Sequence, residues 1–183
     1  SIFPEWTNSR YYSLRGGNYI RSAAQFQECG VDIEYSRLTF EHFRPLMRLI
    51  EDRYILALLG DTLHERLLQD AETVTETYDK SLVKNIRSFV ACKTAELYTS
   101  EKSKRNRESD RQAEYRPVIR PIYGDPAGSM NFFAEQADSY LGKIQSLLAE
   151  NADALGLTTG NTVVELKRDD VNLFFADAQY TFN

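Results

Sequence analysis

Between positions 39 and 68 the apolar residues recur with helical spacing. Phe43, Leu46, Met47, Ile50, Tyr54, Ala57 and Leu58 fall three or four apart, one face of a helix. Ile55, Leu56 and Leu59 widen that face, so this end is expected to be buried on several sides. Thr39 is the expected N-cap, with His42 at the third helical position; Pro45 belongs in a first turn, or else the helix begins nearer Arg44. Gly60 then interrupts the pattern. A glycine closing a helix takes the left-handed conformation without a Cβ clash. Asp61 or Thr62 caps a second helix, and Thr62 and Glu65 have the spacing of a capping box. Gly60, Asp61, Thr62 and Glu65 thus form a structural corner. It folds the second apolar face, Leu63, Leu67 and Leu68, back onto one core.

Two further helices follow from the same pattern. One runs from about Val74 to Thr99 with Leu82, Ile86, Phe89, Val90, Lys93 and Leu97 on its stripe. Lys93 is expected to extend its ammonium outward to water. The other opens at Pro126 and carries Met130, Phe133, Ala137, Tyr140, Leu141, Ile144, Leu147 and Leu148, ending near Leu155-Gly156.

The flanks differ. Residues 1–37 mix aromatics, Arg and Gly without a sustained period, and Gly16-Gly17 is a breaker. They read as an extended arm with a short helix near Ile20–Gln27. Residues 157–183 hold two β-branched and aromatic runs around the polar "KRDD", a β-like tail that needs the helices or another chain to pack on. The expected fold is therefore mainly α: a small bundle of about four helices over 38–156, flanked by the arm (1–37) and the tail (157–183), with a charged loop at 100–125.

Charge sharpens the picture of that loop. Residues 100–121 hold seven basic and four acidic side chains in a chain of net charge −5. With few apolar residues before Tyr115, such a segment cannot offset its ordering entropy by burial. Lys102, Lys104, Arg105, Arg107 and Arg111 are the candidate interaction arm. Interleaved acids favour a protein-facing role over a DNA clamp, and any DNA contact should be non-specific and salt-sensitive. The acidic balance gives no general basis for nucleic-acid binding. No apolar run approaches the length of a spanning helix, so no membrane is expected. The opening "SIFPEW" lacks a secretory pattern and reads as intracellular after loss of the initiator Met.

Candidate chemistry is sparse. Cys29 and Cys92 have no CxxC spacing and only His42 and His64 to join them, which disfavours zinc and suits two reduced thiols. No phosphate-binding glycine loop, GxSxG or HExxH occurs. Glu51, Asp52, Asp61, His64 and Glu65 cluster near the corner. A carboxylate-bridged helical metal site wants a pair of ExxH motifs, and Asp61–His64 is a single DxxH. Capping and a solvated face account for these residues. His42 reads as a polar residue at a helix start. Trp6 and the tyrosines of the arm read as anchors into a protein surface rather than platforms for bases. No cofactor, metal or catalytic residue is expected.

The run Glu51-Asp52-Arg53-Tyr54-Ile55, then Leu58-Leu59-Gly60 and Leu63-His64-Glu65-Arg66-Leu67-Leu68, resembles a family of small helical proteins of Bacteroidetes phages and prophages. "LVKNIRSFVACKTAELY" and "FFAEQADSYLGKIQSLLAENADAL" resemble its later helices, so the likeness covers about residues 38–99 and 128–156. That family looks like the head-to-tail connectors (adaptor or head-completion proteins) of tailed phages. The resemblance implies a non-enzymatic virion structural protein at the neck, made in the host cytoplasm. It implies a cyclic homo-oligomer, often of twelve copies, that meets the portal protein and tail or neighbouring ring proteins and lines the DNA channel. The rival expectation is a soluble helical adaptor or regulatory protein that binds protein or nucleic acid through residues 100–121.

Overall fold

The structure is a computed structural model and describes residues 18–71, 76–105, 119–120 and 126–151. These residues are mainly helical, with no strand among them. Helix α1 spans Ala23–Glu28, α2 Arg37–Ile50, α3 Leu56–Asp70, α4 Thr77–Arg105 and α5 Pro126–Glu150. A π-helical turn, Glu51–Ile55, joins α2 to α3. The expected helical bundle is present. The tail at 157–183 lies outside the described residues, as do Trp6 and the Leu155-Gly156 stop.

Helix α2 begins earlier than expected. Ser36 is the N-cap, and its hydroxyl accepts the Thr39 N–H at 3.2 Å. Thr39 is buried inside the first turn instead of capping it. Replacing Ser36 with Ala is expected to lower stability by about 1 kcal/mol, read as a shifted urea midpoint. Pro45 lies more than two turns inside the helix, not in its first turn. It lacks an N–H, so the Glu41 carbonyl loses its helical partner there. Pro45 is exposed and Glu41 half-buried, so water can take that carbonyl.

The π-helical turn is closed by the Leu56 N–H on the Glu51 carbonyl. It carries two neighbouring columns inward, Ile50, Tyr54 and Leu58 beside Glu51, Ile55 and Leu59, and all six are buried. Ala57, expected on that face, is exposed. Gly60 then kinks α3 at φ 72°, ψ 163°. The positive φ is as expected. The ψ is not: this is the extended mirror-image region that glycine alone occupies readily, rather than the left-handed helical one. Beyond the kink Leu63 and Leu67 are buried.

Helix α4 is the centre of the fold. The spacing predicts a single apolar stripe, yet every residue from Ser88 to Ala95 is buried, so its middle is covered all round. Phe43 of α2 meets Tyr98 edge-on at 4.9 Å, and Tyr54 meets Phe89 at 5.5 Å. Helix α5 covers another side through Phe133, Ala137, Ile144 and Leu148. The start of α4 (Ser81, Asn85) lies beside the end of α5 (Ser146, Glu150), so the two run antiparallel. Lys93 departs from expectation. It is buried, ion-paired to Glu96 at 2.8 Å, and lies 5.8 Å above the Tyr54 ring. Burial of this ammonium is compatible with its charge because a carboxylate and a ring face both stand against it.

Residues 18–33 are not an extended arm. Tyr19, Ile20, Phe26, Val31 and Ile33 are fully buried core residues. The short helix expected near 20–27 exists as α1, capped by Ser22 on the Gln25 N–H at 3.2 Å. Glu34 and Tyr35 then adopt positive φ of 55° and 51°. Their N–H groups are held by Asp32 Oδ1 and Gln27 Oε1 at 2.8 and 2.7 Å. Arg120 pins the same turn from outside. Its N–H donates to the Asp32 carbonyl at 2.9 Å and its guanidinium to Glu34 at 2.9 Å.

Candidate functional site

The polar residues that the sequence places on a solvated corner divide into two groups in space. Asp61, Thr62 and Glu65 follow the Gly60 kink and are exposed, and no side-chain hydrogen bond of a capping box is seen between Thr62 and Glu65 among the described residues. Glu51 and His64 are buried, and both reach the same residue, Tyr19. The Glu51 carboxyl accepts the Tyr19 N–H at 3.0 Å and the Asn18 side-chain amide at 3.2 Å. The Tyr19 hydroxyl lies 3.2 Å from His64 Nδ1 and 3.4 Å from the His64 carbonyl. The Arg87 Nε donates to the Tyr19 carbonyl at 2.9 Å, and its Nη2 to the Ala71 carbonyl at 3.3 Å. Arg21 donates to the Leu68 carbonyl at 2.8 Å. One segment, 18–21, is thereby tied to the π-helical turn, to the far half of α3 and to α4.

Burial sets the electrostatics of this network. It pushes the Glu51 carboxyl up to about 8, against the pull of the Tyr19 N–H, with Asp52 adding repulsion while Arg48 and the Asn18 amide oppose. Burial also raises the Tyr19 phenol, with Glu51 adding to it. His64 is lowered by burial, opposed by Asp52, Glu65 and Asp61, so the neutral imidazole is favoured. A neutral imidazole can accept the phenol proton at Nδ1, or donate from Nδ1 while the phenol donates to the carbonyl. All three groups are buried: a backbone N–H and the Asn18 side-chain amide hold the carboxyl, and His64 Nδ1 and the His64 carbonyl face the phenol. Their chemistry is that of a structural lock. Among the described residues, no cluster of His, Cys, Asp and Glu could hold a metal ion.

The charged arm is partly helix. Lys102, Lys104 and Arg105 lie in the last turns of α4, which continues past the expected end near Thr99. Arg107 and Arg111 lie outside the described residues. Nothing among the described residues brings the arm and the corner together as one site. His42 is exposed on α2, edge-on to Phe43 and Tyr98 at 6.2 and 6.5 Å. Cys92 is buried, and Cys29, half-buried, donates its thiol to the Gln25 carbonyl at 3.2 Å. Both are free thiols, and burial pushes them up to about 12 and 11 respectively.

One surface feature escapes the sequence. Tyr35, Leu38 and Leu49 are 65, 66 and 49 % exposed. Leu38, His42, Pro45 and Leu49 fall on one line of α2, at spacings of four, three and four, and all are exposed. Helix α2 is apolar on two faces, and among the described residues only one is covered. The inward face carries the bulkier apolar residues, Phe43, Met47 and Ile50. No helix of the described residues is long and apolar enough to cross a membrane, so this outer strip is not part of a spanning segment. No protein-family model, curated protein or solved structure matches the chain.

Proposed function

We propose that this chain is a virion structural protein, a subunit of a head-to-tail connector ring that joins the portal to the tail. The observation that carries the reading beyond the sequence resemblance is the outer strip of α2. Apolar area left in water on a helix face is a common signature of a protein–protein interface. A ring subunit needs two such surfaces, one for each neighbour. The lock around Tyr19 suits the role as well. It joins segments distant in sequence into a rigid body that can bear load.

Mass photometry of the full chain, alone and with the portal protein of the same genome, tests the proposal. Rings or portal-bound copies are expected, and Leu38→Asp with Leu49→Asp should dissociate them without unfolding the monomer. Monomers at every concentration that never join the portal would sink the reading. The second reading, an adaptor acting through residues 100–121, draws on the placement of Lys102, Lys104 and Arg105 in the last turns of α4. Filter binding to duplex DNA across a salt series separates the two. Sequence-specific retention supports the adaptor, while weak binding lost with salt is what a channel wall would give.

A further inference from the structure

A concavity of about 400 Å³ opens between α1 and the first half of α4, lined by Gln25, Glu28, Cys29, Lys80, Lys84 and Arg87 among others. Ala71 and Val83 give it an apolar floor, and the buried Ser88 lines it too. Its volume falls in the range of small-molecule sites, roughly 300–1,000 Å³. Its charge runs against the chain. Three cations face one carboxylate here, in a protein of net charge −5.

The three cations are spaced four and three along α4, so they share one face of the helix. Arg87 is held in place by the backbone carbonyls of Tyr19 and Ala71. Those bonds orient the guanidinium. Lys80 and Lys84 are exposed at the rim and make no ion pair among the described residues, with Glu28 or with any other acid. Like charges one helical turn apart destabilise a helix slightly. An anion between them would remove that cost.

We propose that this concavity binds a small organic phosphate, with the phosphate between Lys80 and Lys84 at the rim and the neutral part over Val83 and Ala71. Ammonium groups hold phosphate as point charges on flexible stems, which suits a ligand that enters from solvent. The fixed Arg87 adds charge deeper in the concavity. The half-buried Cys29 thiol would be covered by the bound molecule.

Cys29 therefore reports on occupancy, because Cys92 is buried and reacts slowly. Maleimide labelling of the full chain, located by peptide mass spectrometry, is followed with added pyrophosphate, glucose 6-phosphate or sodium chloride of matched ionic strength. One-site occupancy slows labelling about tenfold when the anion stands at about ten times its Kd. Slowing is expected with at least one phosphate and not with chloride, and Lys80→Ala with Lys84→Ala should abolish it without lowering the melting temperature. Greater slowing by glucose 6-phosphate than by pyrophosphate supports the organic part. No slowing by either phosphate, equal slowing by chloride, or slowing that survives the double substitution would overturn the proposal.

Discussion

Glu51→Gln should remove the loss of folding stability that the wild-type protein shows as pH rises from about 6.5 to about 8. Glu51 is 1 % exposed in the π-helical turn, and burial pushes its carboxyl up to about 8 in the folded state. In the unfolded chain it titrates at its ordinary value of about 4.5. Below that value both states hold the proton, and the folded state carries no penalty. Between the two values the unfolded chain releases the proton and the folded protein keeps it. The unfolded state then binds fewer protons, so stability falls with rising pH, by about 1.4 kcal/mol per pH unit. The fall ends as pH passes about 8, where the folded carboxyl also ionises. Over the whole window the loss is on the order of 5 kcal/mol.

His64 acts in the opposite sense over part of the range. Its folded value lies below the ordinary 6.5. Below that pH the unfolded imidazole gains a proton that the folded one does not, so stability from His64 is lost as pH falls. The two groups partly cancel on the acid side, and the decline from Glu51 stands alone above about 6.5. The substituted glutamine side chain is neutral throughout. Its carbonyl can accept the Tyr19 N–H, and the Asn18 amide can turn to offer its oxygen to the new NH₂. Near pH 5 the variant should match the wild type. From pH 6.5 to 8 it should gain on the wild type by about 2 kcal/mol. Urea midpoints of both proteins at pH 5, 6.5 and 8 give the difference directly. Parallel curves would show that Glu51 is ionised in the folded protein and that its two donors outweigh burial.

The places where sequence and structure agree share one property: many apolar residues repeat at one spacing. Helix α5 shows it best, with Phe133, Ala137, Ile144 and Leu148 buried where the stripe puts them. The segment 18–33 has no such repeat. Tyr19, Ile20, Phe26, Val31 and Ile33 enter the core singly, separated by a cap, a short helix and turns, and no window of periodicity contains them. Glu51 and His64 are illegible for another reason. A carboxyl or imidazole near a helix corner is usually solvated, and only the arrival of Tyr19, 32 residues from Glu51 and 45 from His64, makes burial tolerable. The Ser36 cap is hidden because Arg37 and Leu38 look like loop residues ahead of Thr39, although Ser, like Thr, is a strong cap. The apolar strip of α2 is masked by the richer stripe on its inner side.

Gly60→Ala has the second large expected effect, a loss of about 3 kcal/mol. At φ 72°, ψ 163° the glycine occupies backbone space that a Cβ makes strained, a cost of about 1–3 kcal/mol for one residue. The chain has one escape. Alanine favours helix over glycine by about 1 kcal/mol, so α3 could straighten and relieve the strain. Straightening would swing Leu63, His64 and Leu67, all buried beyond the kink, away from the core. Each large apolar side chain brought into water costs roughly 1.5–3 kcal/mol, and the Tyr19–His64 contact would go with them. Keeping the kink therefore costs less, and the variant should retain it and carry the strain. At roughly 2–4 °C per kcal/mol for a chain of this size, the melting temperature should drop by about 6–12 °C. Gly142 provides the control. It is exposed in the middle of α5, with nothing within 4 Å of the position a Cβ would take. The same substitution there should raise stability by about 0.5–1 kcal/mol. Opposite signs at the two glycines would tie the loss at position 60 to its backbone conformation. A Gly60→Ala protein that melts with the wild type would mean that the bend is set by packing on either side and not by the glycine.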